Sequence, residues 1–334
     1  MSKQAGRQDG IAKAVMRNKQ DIHRRLGGFL QGRGWPKIAY SSGPCQGPVS
    51  GACIPSGEPV MKANFCALRQ RGVLRLSGRD ARTFLQALIT RDLDYLTTAQ
   101  TVYSALLTPQ GKYLFDFFLA QHDGDILLDG EAARLDALMK RLNMYKLRAD
   151  VAITKEDGWE ISAIYNGNIG MEPKAGAARP FGAGVAFTDP RLLDAGARIM
   201  APVGQANKML SDAGFAAGDE SDYEYIRLGL ALPESGRDLV TDKSLMLESN
   251  LDSLNGVDFD KGCFVGQELT ARTKYRALVR KRLLPVKVQG PMPEPNEPLM
   301  SGQSEIASMR SGQGDRGLAL VRLDRLVDAG GLGI

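Results

Sequence analysis

Residues 261–268 run Lys261-Gly262-Cys263-Phe264-Val265-Gly266-Gln267-Glu268. Two glycines bracket the cysteine, so its backbone is free to take up tight geometry. The residues that follow, Gln267-Glu268-Leu269-Thr270-Ala271-Arg272, are good helix formers, with Glu268 in the first turn and Arg272, Lys274 and Arg276 further along. Cys263 is thereby expected just ahead of a helix N-terminus and two residues from the Lys261 ammonium, a setting that favours thiolate and suits a nucleophile or a soft-metal ligand. The competing reading is an inert packed cysteine, because free cysteines are among the most buried residue types and Phe264 and Val265 are apolar.

Upstream, Val73-Leu74-Arg75-Leu76 alternates like a strand, Ser77-Gly78-Arg79-Asp80 supplies turn and cap residues, and residues 81–89 have helical apolar spacing. Residues 102–107, the turn Thr108-Pro109-Gln110-Gly111 and residues 112–119 read as a β-hairpin. A short strand at 126–129 and an amphipathic helix over 132–145 follow. Residues 166–182, rich in Gly, Ala and Pro, read as a linker or excursion; 185–187 and 197–200 read as strands and 223–230 as a helix. Residues 282–288 have strand composition, a Pro-rich break covers 291–298, and 305–322 alternates with glycines as a small barrel does. Strands and helices mix in short units, which predicts α+β architecture rather than a Rossmann-like repeat.

The 334 residues carry a formal net charge of +5, unevenly spread. Residues 1–60 hold nine Lys/Arg against Asp9, Asp21 and Glu58, so this stretch is +6 and the remainder −1. A basic, poorly ordered extension, from an over-long start or a leader, is expected at 1–60, joined to a near-neutral body lacking the electrostatic footprint of a phosphate-backbone binder. Direct nucleic-acid binding is therefore not expected of the body. No apolar run approaches the ~18–20 residues that span a bilayer, so no membrane role is expected and the chain is placed in the cytoplasm. Cys45, Cys53, Cys66 and Cys263 form no CxxC pair, and His23 and His122 have no metal-ligand spacing, so neither a zinc site nor a His-based hydrolase is expected. On the plainest reading Asp116, between Phe115 and Phe117, lies on a strand's solvent face, and Arg227 and Glu248 are surface charges.

The 261–268 run resembles the K-G-C-F/Y-x-G-Q-E signature of YgfZ-type proteins, a family related to the glycine-cleavage aminomethyltransferases that includes mitochondrial late-acting iron–sulfur assembly factors. Leu76-Ser77-Gly78-Arg79-Asp80-Ala81 with Phe84-Leu85-Gln86, Leu107 to Lys112, Asn250-Leu251-Asp252 and Gly317 to Arg322 agree with the family in order along the chain. The likeness covers roughly residues 61–325. It implies an aminomethyltransferase-like folate-binding fold of interleaved α/β subdomains around a central channel (61–280), with a small, short C-terminal β-barrel (281–334). It implies tetrahydrofolate as cofactor, with Asp116 toward the folate amine and Arg227, Glu248 and Gln267 on the folate side, and Cys263 with Lys261 as the working pair. The function implied is an accessory factor in maturing or repairing four-iron proteins, among them tRNA-modifying enzymes, with iron–sulfur assembly proteins and client four-iron enzymes as partners. The alternatives are a folate-dependent aminomethyl transferase and an RNA binder acting through the basic tail.

Overall fold

The computed structural model describes residues 63–328 except 168, 277 and 278; the expectations for 1–60, including Cys45, Cys53 and His23, lie outside the described residues. The chain enters one sheet, leaves to build a second, and returns to complete the first. Strand β1 (Asn64–Ala67) belongs to a six-stranded sheet, whereas β2 (Arg71–Ser77), β3 (Val102–Leu107), β4 (Tyr113–His122), β5 (Asp125–Glu131) and β6 (Ala152–Lys155) form a five-stranded sheet ordered β3-β4-β5-β2-β6. Strands β7 (Trp159–Tyr165), β8 (Ala178–Phe181), β9 (Gly184–Thr188), β10 (Ala197–Pro202) and β11 (Ala216–Ala217) then close the first sheet in the order β11-β1-β7-β10-β9-β8. This is the interleaving the resemblance implies.

Alternation along the strands sorts side chains into layers. Tyr103, Ala105, Phe118 and Ala120 face Phe187, Met200 and Tyr223 in a core between the two sheets. Val102, Leu106, Phe117 and Leu119 face the other way, onto α1 (Ala81–Gln86) and α2 (Leu135–Lys146). Helix α3 (Gln205–Asp212) covers the outer side of the six-stranded sheet through Ala206 and Leu210. Helices α4 (Glu220–Gly229) and α5 (Gln267–Arg276) precede a third sheet, ordered β12 (Lys281–Lys287), β15 (Arg316–Arg322), β14 (Ser304–Gln313), β13 (Pro298–Ser301), followed by α6 (Leu323–Asp328).

Two local expectations are corrected. The helix expected over 81–89 stops at Gln86, because Ile89 turns into the sheet and bridges Leu106. The 166–182 segment is more than a linker, since its end is β8, an edge strand, where Pro180 can sit without costing the sheet a central hydrogen bond.

Candidate functional site

Three segments distant in sequence meet around residues 261–266. Lys261 is buried and donates its three N–H groups to the backbone carbonyls of Gln86 (2.8 Å), Ile89 (2.8 Å) and Arg91 (3.0 Å), at and beyond the end of α1. Burial pulls its ammonium down from the ordinary lysine value to about 8 against the opposing charge of Asp92. Gly266 has φ +83°, and a Cβ there would stand 2.6 Å from the Thr108 carbonyl oxygen and 3.0 Å from the Cα of Gly111. Only glycine on both sides lets the β3–β4 turn lie against the start of α5. Thr270, on the first turn of α5, donates its hydroxyl back to the Gly266 carbonyl at 2.9 Å.

Between these anchors Cys263 is exposed and free. The packed-cysteine reading fails because its neighbours take the core positions: Phe264 enters the layer between the sheets and Val265 packs beneath the five-stranded sheet. The expected direct partnership with Lys261 is also revised. The lysine's N–H groups are spent on carbonyls, so it holds the loop that carries the thiol. Because α5 begins at Gln267, the thiol lies about a turn ahead of the helix rather than on its first amides. Cys66, by contrast, is buried, and desolvation pushes its thiol up to about 12. At pH 8 roughly one Cys66 in ten thousand is thiolate. We therefore expect iodoacetamide at pH 8 to alkylate Cys263 in the native protein and to spare Cys66 until denaturant is added, as followed by peptide mass mapping. Equal labelling of the two in the native state would contradict this arrangement.

Asp116 shares its face of β4 with Phe118 and Ala120 and is buried between the sheets, not on a solvent face. Its Oδ2 accepts from the Tyr103 hydroxyl at 3.0 Å; its Oδ1 accepts from the Tyr113 hydroxyl at 2.8 Å and from the Ser235 hydroxyl. A bulge in the β3–β4 pairing, where Leu106 opposes Phe115 and Leu107 opposes Tyr113, re-aims Tyr113 so that it reaches a carboxylate three residues on. Burial and the Asp116 charge hold both phenols well above their ordinary value. A carboxylate offers about four acceptor positions, so these three donors leave one. Tyr103 was legible in the hairpin, whose register opposes Ala105 to Asp116 and so puts 103 and 116 on one face; Ser235 carried no such signal.

Around Phe118 stand the guanidinium groups of Arg198 (4.1 Å from the ring centroid), Arg191 (4.8 Å) and Arg71 (5.5 Å). Asp129 binds Arg71 at 2.6 Å and Arg198 at 3.1 Å, and Asp189 binds Arg191 at 2.8 Å. This buried network joins β2, β5 and β10 across the two sheets, and sequence reasoning missed it.

Arg227 is neither a surface charge nor open to folate. Its Nε and Nη2 bind Glu224 at 2.6 and 2.5 Å, Nη1 binds the Leu232 carbonyl and Asp238, both at 2.7 Å, and Nη2 also reaches the Ser311 hydroxyl at 3.1 Å. All five N–H donors are thus used inside the chain. The expected folate-facing arginine is a structural hub because Glu224, Glu234 and Asp238 converge on it. Glu248 is half-buried against the C-terminal sheet, where Leu283 N–H bonds its carbonyl at 2.9 Å. Gln267 opens α5, half-buried.

The C-terminal strands match the family model of the CAF17 C-terminal beta-barrel domain over residues 280–332. The iron–sulfur cluster assembly factor IBA57, mitochondrial, of Homo sapiens is 32% identical over 330 residues, covering 90% of this chain and 90% of its own length. Its counterpart in Mus musculus is 33% identical over 282 residues, covering 77% of this chain and 76% of its own. The crystal structure of the glycine cleavage system aminomethyltransferase T from Bartonella henselae superposes with a TM-score of 0.65 at 15% identity, covering 79% of this chain and 80% of that one, which shows the fold. Both relatives are named mitochondrial, and this overturns the cytoplasmic location expected from the sequence. The chain belongs to the IBA57 family of iron–sulfur cluster assembly factors and is built on the aminomethyltransferase fold.

Proposed function

We propose that the chain serves iron–sulfur cluster assembly by presenting the Cys263 thiol to partners that carry or receive four-iron clusters, with tetrahydrofolate bound against Asp116. The observation that carries this reading is an exposed thiol on a loop pinned by a lysine clamp, two core side chains and a glycine-to-glycine contact. Rigid presentation of a nucleophile or ligand costs folding energy and is worthwhile where geometry matters. Among the described residues no three Cys, His, Asp or Glu side chains group to hold a metal. On this reading Cys263, on losing its proton, supplies one bond to iron, and the partner contributes further ligands. The one acceptor position left on Asp116 suits an amine N–H of a reduced pterin, and the hydroxyls of Tyr103, Tyr113 and Ser235 fix the carboxylate toward it.

The test is activity of a four-iron client enzyme in cells lacking their own relative, supplied with the full chain in the compartment where that relative acts. Wild type should restore activity and Cys263→Ala should restore little or none, although both proteins accumulate equally. Equal rescue would remove the thiol from the mechanism. If neither rescues, and formaldehyde-equivalent transfer to tetrahydrofolate survives in the Cys263→Ala protein, the one-carbon transferase reading takes its place.

A further inference from the structure

A cavity of about 330 Å³ opens between residues 238–249 and the C-terminal sheet, on ground that neither Cys263 nor Asp116 touches. Its walls bring together three cations from three separate segments: Lys243 from the loop after α4, Lys281 at the start of β12, and Arg310 on β14. Cations on a protein surface normally find carboxylates, or point away from one another into water. Here none of the three has a carboxylate within 4.0 Å among the described residues, and among those residues the Arg310 guanidinium donates only to the side-chain oxygen of Asn296.

The cavity does hold two carboxylates, and both are poorly placed to neutralise it. Asp238 is consumed by Arg227, by the Glu234 N–H and by the Ser311 hydroxyl. Glu248 forms no ion pair among the described residues, and burial holds its carboxyl above the usual range in spite of Lys281, Lys112, Arg282 and Arg310 nearby. Half-buried Lys281 and Arg310 and the exposed Lys243 thus face one reluctant anion, and for the two half-buried cations burial is a cost that an outside anion would offset. The volume lies at the lower end of ligand-site sizes, which suits a compact molecule and not a whole dinucleotide.

We propose that this cavity is a binding site for a small molecule bearing two or more acidic groups, phosphate or carboxylate, gripped by Lys243, Lys281 and Arg310. Neither Cys263 nor Asp116 lines it.

Titration calorimetry of the full chain at low ionic strength, with inorganic pyrophosphate and separately with tricarballylate, tests it. At least one anion should bind with one-to-one stoichiometry, and the stronger of the two identifies the phosphate or the carboxylate as the preferred group. Arg310→Met and Lys281→Met should each weaken that binding by about tenfold or more, since each removes a charge-assisted contact. Lys243→Met, on the exposed rim where it cannot disturb folding, should weaken it several-fold, and Glu248→Gln should tighten it. Cys263→Ala should leave it unchanged. No saturable binding of either anion, or binding that survives both Lys243→Met and Arg310→Met in proteins of unaltered circular dichroism, would overturn the assignment.

Discussion

Arg227→Met is expected to lower the unfolding free energy by about 3–5 kcal/mol, measured as an earlier midpoint in chemical denaturation. The loss is large because the guanidinium is 1% exposed and stands among Glu224, Glu234 and Asp238. Methionine fills much of the volume but strands three carboxylates in the interior, with Arg237, itself partly exposed, as the nearest remaining cation. Arg227→Lys should recover only part of the loss, since one ammonium has three donors where the guanidinium uses five. The hub also ties α4 and the 232–238 loop to β14 through Ser311, so protease cleavage within the C-terminal sheet should accelerate in the variant. A midpoint shift worth less than about 1 kcal/mol would mean that the carboxylates find water or protonate cheaply, and that Arg227 is free enough to serve a ligand after all.

The elements legible in the sequence were those whose turns announce them. The 108–111 turn fixed the β3–β4 hairpin, and alternation through Tyr103, Asp116 and Phe118 then assigns faces. Strand β7 was not read because Ile161 to Tyr165 are buried on both faces, so the stretch shows no polar alternation, even though Asp157-Gly158 turns the chain into it and Asn166-Gly167 bends it away. The 261–268 run gave the position of the thiol, but its support was hidden. That Lys261 grips carbonyls 170 to 175 residues upstream is a long-range fact no local pattern encodes. The same holds for Arg227: Glu224 sits one helical turn away and was visible as an i, i+3 partner, whereas the 234 and 238 carboxylates arrive through a loop whose path only packing determines. The cation trio of the cavity likewise comes from three segments with nothing in common in the sequence.

Lys261 gives the second large effect, and its sign follows from where its proton goes. Burial holds the folded amine near 8, against 10.5 when exposed in the unfolded chain. Below pH 8 both states carry the ammonium, so folding bears the full cost of burying the charge, offset by the three carbonyl contacts. Between pH 8 and 10.5 the folded protein has given up the proton while the unfolded chain still holds it, so stability attributable to this residue rises with pH, by up to about 3 kcal/mol across the window. Denaturation midpoints of wild type and of Lys261→Arg, whose cation does not titrate there, should accordingly diverge in favour of wild type from pH 8 upward and run parallel below it. Lys261→Met leaves the carbonyls of Gln86, Ile89 and Arg91 without their donor and should cost about 2–4 kcal/mol at neutral pH, with faster, less selective alkylation of Cys263 as its loop comes loose. A flat difference between wild type and Lys261→Arg up to pH 10.5 would show that the three carbonyls outweigh burial, so that a full positive charge clamps the thiol loop at every working pH.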